Sequence, residues 1–91
     1  MALVSDSEIN DFLATHPQWI LEGGELAATS TLKDFNEAMA LVNRVALMAE
    51  KANHHPDIAI SWNKVSLRLS THSEGGITSK DLELAAQIPL A

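Results

Sequence analysis

The feature that most constrains the fold is the stretch from Asp34 to Asn53, which contains neither glycine nor proline. It predicts one long helix that is capped by Thr31 and Asp34 and ends near Asn53. At about 100° per residue, two apolar stripes follow this helix. The first consists of Phe35, Met39, Val42, Ala46 and Ala49, and the second of Leu41, Val45 and Met48. One stripe is enough to pack a helix on a sheet, so the second either widens the core face or packs against another subunit.

The residues before this helix predict a short helix followed by a hairpin. A capping-box pattern at Ser5 opens the short helix, and His16 ends it because a proline follows. Strands over 19–21 and 26–31 then flank Gly23-Gly24, a dipeptide that supplies the positive φ angles of a tight turn. The second of these strands is only weakly apolar, so it could lie at an edge of the sheet.

The residues after the long helix predict a second hairpin and a last helix. A strand over 58–62 alternates apolar and small residues, and one over 65–70 alternates more regularly. Asn63-Lys64 is the expected turn between them. Thr78 opens the last helix and Pro89 closes it. The order α-β-β-α-β-β-α predicts an α+β fold, a four-stranded antiparallel sheet with three helices on one face. Residues 1–91 are expected to form a single domain, since domains of about 100 residues are common.

Composition excludes several classes of function. Six basic residues against twelve acidic ones give a net charge of −6, and the basic residues are scattered, which argues against binding to nucleic acid. No segment approaches the roughly 18 apolar residues of a membrane span, and the apolar N-terminal run is too short for a signal peptide. We therefore expect a soluble, cytoplasmic protein. Without cysteine, no thiolate is available as a nucleophile or ligand.

Three of the four histidines lie between residues 50 and 81. His54 and His55 follow the long helix, and His72 follows the last strand. Because the strands of a hairpin run antiparallel, the end of strand 65–70 lies beside the start of strand 58–62, so the three imidazoles can converge. Histidine both donates and accepts protons near neutral pH. The set could instead hold zinc, but adjacent histidines tend to point in different directions and no His-Glu-x-x-His pair is present.

Each of these residues also has a purely structural explanation. A histidine near a helix C-terminus interacts favourably with the helix dipole. Asp81 fits a capping box with Thr78, and Glu50 fits a solvated charge near the helix end. Trp62 fits a core aromatic residue.

Taken together, the residues resemble the signature of the pterin-4a-carbinolamine dehydratases. In that signature an acidic or polar residue is followed by three residues of any type and then His-His-Pro. An aromatic residue comes after five further residues, a histidine after nine more, and an aspartate after another eight. The chain keeps every interval, with Glu50, His54-His55-Pro56, Trp62, His72 and Asp81. The likeness extends over roughly residues 32–86.

The resemblance implies an enzyme that dehydrates 4a-hydroxytetrahydropterin to quinonoid dihydropterin and so recycles the cofactor of aromatic amino-acid hydroxylases. It implies no metal and no organic cofactor. His54 and His72 would share the acid and base roles in either order, and His55 would bind the substrate near its hydroxyl. Asp81 and Glu50 would orient the imidazoles or hold the pterin edge, while Pro56 and Trp62 would shape the pocket. The family's dimers and tetramers imply self-association through the long helix and sheet edge. The alternative is a non-catalytic protein-binding or dimerisation module on the same fold, which would not need the three histidines.

Overall fold

The computed structural model describes residues 2–91. The helices are α1 (Asp6–Thr15), α2 (Phe35–Ala52) and α3 (Ser79–Gln87), and the strands are β1 (Ile20–Glu22), β2 (Glu25–Thr31), β3 (Asp57–Ser61) and β4 (Lys64–Leu69). A 3₁₀ turn at His72–Glu74 follows β4. The sheet has the order β1-β2-β4-β3 with every neighbouring pair antiparallel. The predicted α+β class and element order are therefore confirmed. Within residues 2–91, no helix has both the length and the apolar character needed to cross a bilayer.

The core lies between one face of the sheet and the three helices. Alternate residues of the two central strands point into it and pair across the strands: Leu26 with Leu69, Ala28 with Leu67, and Ser30 with Val65. From the helices, the buried residues that pack on them are Ile9, Ala38, Leu41, Val45, Leu84 and Ala85. Strand β2 is therefore central, and its placement at an edge is wrong.

The two turns of the hairpins differ in how well the sequence predicted them. Gly23 and Gly24 form the first turn with φ angles of 60° and 78°, which glycine adopts without steric cost. The second turn is Trp62-Asn63 rather than Asn63-Lys64, because Ser61 pairs with Lys64. A slip of one residue would turn every side chain of β3 to the other face of the sheet. Trp62 consequently leaves the strand and takes a φ of 55°.

The structure decides between the two readings of the second stripe on α2. Leu41 and Val45 of that stripe are buried, so it widens the core face. The first stripe is divided: Ala49 is buried and Val42 packs against the core, whereas Phe35 is 49% exposed. The helix itself is confirmed, with its end within one residue of the predicted one.

Candidate active site

The three histidines lie at one end of the sheet around a groove of about 310 Å³. Its lining consists of Asn53, His54, His55, Ser70, Thr71, His72, Ser73 and Lys80. The antiparallel pairing of β3 with β4 explains this arrangement, since Asp57 at the start of β3 pairs with Arg68 near the end of β4. The chain therefore enters β3 beside the point where it leaves β4.

The end of α2 directs His54 towards α3. Asn53 takes a left-handed conformation with φ 49°, which asparagine tolerates better than most residues. The backbone amide of Asn53 then donates to Glu50 O at 3.2 Å, and that of His54 donates to Ala49 O at 3.1 Å. These bonds end the helix and fix the position at which the His54 side chain begins.

Asp81 anchors the His54 imidazole inside the protein. The carboxylate is fully buried, and its Oδ1 contacts His54 Nε2, whose side chain is 11% exposed. Asp81 Oδ2 accepts from the Thr71 hydroxyl at 2.8 Å and from the Thr78 amide at 2.9 Å. Both oxygens are thus engaged, and Nδ1 is the nitrogen of His54 that Asp81 leaves available to a ligand.

His55 has a separate carboxylate partner in a more open setting. Its Nε2 lies 2.5 Å from Oε2 of Glu50, in the last turn of α2, and both side chains are mostly exposed. Exposed ion pairs of this kind contribute about 0–1 kcal/mol to stability. Pro56 is half-buried, does not line the groove, and fixes the chain between His55 and β3.

His72 faces a carboxylate that the sequence did not single out. Glu25 begins β2, and its Oε2 lies 3.8 Å from His72 Nε2. Arg68 Nε donates to Glu25 Oε1 at 2.8 Å and the Ser70 hydroxyl donates to Oε2 at 2.9 Å. The hydrogen bond from Arg68, followed by that from Ser70, lowers the pKa of Glu25. Only the pairing of β2 with β4 brings Glu25 here, and these strands are not joined by a hairpin turn.

The structure does not bring Trp62 to the groove. The residue follows β3 at the far end, and five strand residues at about 3.3 Å each separate the two ends by about 16 Å. Its side chain is 64% exposed at the tip of the hairpin. Within one chain Trp62 therefore cannot shape the pocket, in contrast to the expectation from the signature.

One group of potential metal ligands occurs among residues 2–91, with ligand atoms of Glu25, Asp57 and His72 within 4.8 Å of one another. It includes neither His54 nor His55, which face different carboxylates. Glu25 already accepts from Arg68, and a cation there would be repelled by the guanidinium. The arrangement does not fit the shared three-histidine zinc site considered from the sequence.

Comparison with known proteins gives a consistent result. A family model described as Pterin 4 alpha carbinolamine dehydratase matches residues 2–90. A protein of Roseiflexus castenholzii, provisionally named a pterin-4-alpha-carbinolamine dehydratase, is 51% identical over 96% of this chain and 94% of its own. One of Thermomicrobium roseum with the same name is 49% identical over 97% and 95%. A solved structure from Brucella melitensis, titled transcriptional coactivator/pterin dehydratase, has a TM-score of 0.89 at 32% identity and 94% coverage of both chains.

Proposed function

The chain belongs to the pterin-4a-carbinolamine dehydratase family, and from this we propose that it acts as a hydro-lyase on 4a-hydroxytetrahydropterin. The product is quinonoid dihydropterin, so the reaction returns the spent cofactor of aromatic amino-acid hydroxylases towards use. The observation that carries the proposal is the groove lined by three imidazoles, each of which lies next to a different carboxylate. Its volume of about 310 Å³ lies at the small end of ligand pockets, roughly 300–1,000 Å³, which suits a bicyclic ring. We also propose that residues 1–91 act as one domain.

The reaction requires one proton donor and one proton acceptor. The bond between C4a and the hydroxyl oxygen breaks, and the oxygen leaves as water with a proton from the donor. The acceptor takes the N5 proton, and the electrons of the N5–H bond form the new double bond between N5 and C4a. No electron acceptor or further reactant is needed. Positioned acid–base groups typically contribute about 10²–10⁴-fold each.

We assign the base role to His54 and the acid role to His72. Asp81 accepts from Nε2–H of His54, which keeps the lone pair of the imidazole on Nδ1, much as a buried aspartate orients histidine in hydrolase triads. His72 lines the same groove and lies beside Glu25, so as the other catalytic imidazole it takes the role of proton donor. His55, oriented by Glu50, would hydrogen-bond the substrate near its hydroxyl.

Turnover of synthetic 4a-hydroxytetrahydropterin tests the proposal. We expect His54→Ala and His72→Ala each to reduce kcat by at least about 100-fold. His16→Ala is the matched control, because His16 stacks on Phe12 away from the groove. If the wild type is no faster than buffer, only the non-catalytic module remains. Stoichiometric zinc in protein purified without chelator or affinity tag would contradict a metal-free mechanism.

We further propose that the chain self-associates through the surface of α2 and the edge strand β3. Ile58 and Ile60 point to the helix side of the sheet yet remain 38% and 37% exposed. Phe35 on α2 and Trp62 after β3 add 49% and 64% exposed side chains. A strand at the edge of a sheet offers unpaired backbone groups to another chain. The same surface is what a protein-binding module would use, and the coactivator title of the Brucella relative makes that the second candidate.

A further inference from the structure

Glu25 is a carboxylate next to His72 to which the reaction scheme above gives no role of its own. It follows the Gly23-Gly24 turn, and only 23% of its side chain is exposed. With its Oε2 at 3.8 Å from His72 Nε2, each imidazole of the groove has its own carboxylate. The pairs are His54 with Asp81, His55 with Glu50, and His72 with Glu25.

Two hydrogen-bond donors, Arg68 and Ser70, hold the Glu25 carboxylate in place. The guanidinium is itself fixed from the other side, since Nη1 donates to Glu22 Oε1 at 2.6 Å and Nη2 to the Glu22 carbonyl at 2.8 Å. Three strands therefore contribute to one network: β1 through Glu22, β2 through Glu25 and β4 through Arg68. Glu25 presents a fixed negative charge to His72 as a result.

His72 is the least enclosed of the three imidazoles. It opens the 3₁₀ turn after β4, and 79% of its side chain is exposed. A side chain this exposed exchanges between rotamers unless a partner favours one of them. We propose that Glu25 is the positioning residue of His72: its fixed carboxylate attracts the exposed imidazole and restrains the orientation from which it donates to the departing hydroxyl. The inference rests on the proposed dehydratase function.

Other charged or titratable groups face His72 from each neighbouring element. Asp57 at the start of β3 acts in the same direction as Glu25, and its carboxylate lies within 4.8 Å. Lys80 of α3 lines the same groove and acts in the opposite direction. The remaining groups are His54, His55 and Glu74, the last on the turn of His72 itself. Among these, Glu25 is distinguished by its fixed, half-buried carboxylate, while Asp57 is exposed.

The kinetic constants of Glu25→Gln test the proposal. Without the carboxylate, the exposed His72 imidazole is no longer restrained, so it spends less time in the orientation needed for proton transfer. We expect kcat to fall about two- to fivefold while KM changes by less than about twofold, because solvent screens a charge at an exposed site. Glu25→Asp keeps the charge and should restore most of the lost kcat.

Glu22→Gln is the matched control, since Glu22 also bonds Arg68 but has no contact with His72 in the hydrogen bonds and ion pairs of residues 2–91. An unchanged kcat in Glu25→Gln, or an equal fall in Glu22→Gln, overturns the proposal. The χ1 scalar couplings of His72 in NMR give a readout without turnover, and they should show more rotamer averaging in Glu25→Gln alone. If the wild type fails to dehydrate the pterin, the proposed function fails, while the NMR couplings still decide the role of Glu25.

Discussion

Replacing Asp81 with asparagine should abolish most catalysis while the fold persists. Asp81 accepts three contacts: His54 at Oδ1, and Thr71 and Thr78 at Oδ2. The asparagine amide has one acceptor oxygen and one donor NH₂ group. If the oxygen turned towards His54, the NH₂ group would face the Thr78 amide, and two hydrogen-bond donors would then oppose each other. The favoured orientation therefore keeps the oxygen on Thr71 and Thr78 and presents NH₂ to His54.

This orientation changes the tautomer of His54. An NH₂ donor requires a lone pair on Nε2, which moves the imidazole proton to Nδ1, the nitrogen that we assign to the base role. The variant should lose the whole contribution of that base, about 10²–10⁴-fold in kcat. One charged hydrogen bond inside a buried cluster is also lost, which costs about 1–3 kcal/mol of unfolding free energy. For a domain of this size, each kcal/mol corresponds to roughly 4–8 °C in Tm.

The assay combines stopped-flow dehydration of the carbinolamine with thermal unfolding of the same samples. Asp34→Asn is the matched control: Asp34 caps α2 by accepting from the Glu37 amide at 2.9 Å, and asparagine caps helices about as well as aspartate. That control should keep both kcat and Tm close to wild type. A kcat for Asp81→Asn within threefold of wild type, in protein that is folded at the assay temperature, would refute the base role of His54.

Three further predictions concern association and stability. Ile60→Glu should convert an oligomer to a monomer of 9.8 kDa in sedimentation. Ser61→Glu, on the same edge strand but the opposite face, should leave the oligomer intact. A wild type that already sediments as a monomer contradicts the proposed interface. Gly24→Ala should lower the free energy of urea unfolding by about 1 kcal/mol, because residue 24 has a φ of 78°. Gly24→Asn should lower it by less, since asparagine tolerates positive φ. Equal losses of free energy would show that the turn conformation is not the cause. The pKa of Glu25 is lowered in the folded state. Its ionic contribution to stability is therefore present at pH 7, above the unfolded pKa, and is lost as pH falls through the folded pKa. The difference in unfolding free energy between wild type and Glu25→Gln should shrink below about pH 4, and a difference that stays constant from pH 7 to pH 3 would contradict this.

Local sequence signals predicted the elements well because each depends on neighbouring residues. The capping residues Ser5, Asp34 and Thr78 precede the observed helices, and Gly23-Gly24 forms the first turn. What the sequence could not determine was which side of an element faces the core. Helix α2 carries apolar residues around much of its surface, so packing on β2 and β4 selects the stripe with Leu41 and Val45.

The same distinction explains which parts of the candidate site the sequence could and could not predict. His54, His55 and His72 come together through a hairpin, whose antiparallel geometry follows from a short turn. Glu25 reaches His72 only through the pairing of β2 with β4, which are separated along the chain by all of α2 and β3. No local pattern encodes that neighbour relation, since it depends on how α2 packs across the sheet. Trp62 shows the opposite case: its spacing matches the signature, yet its position at the tip of the hairpin leaves its side chain 64% exposed and away from the groove.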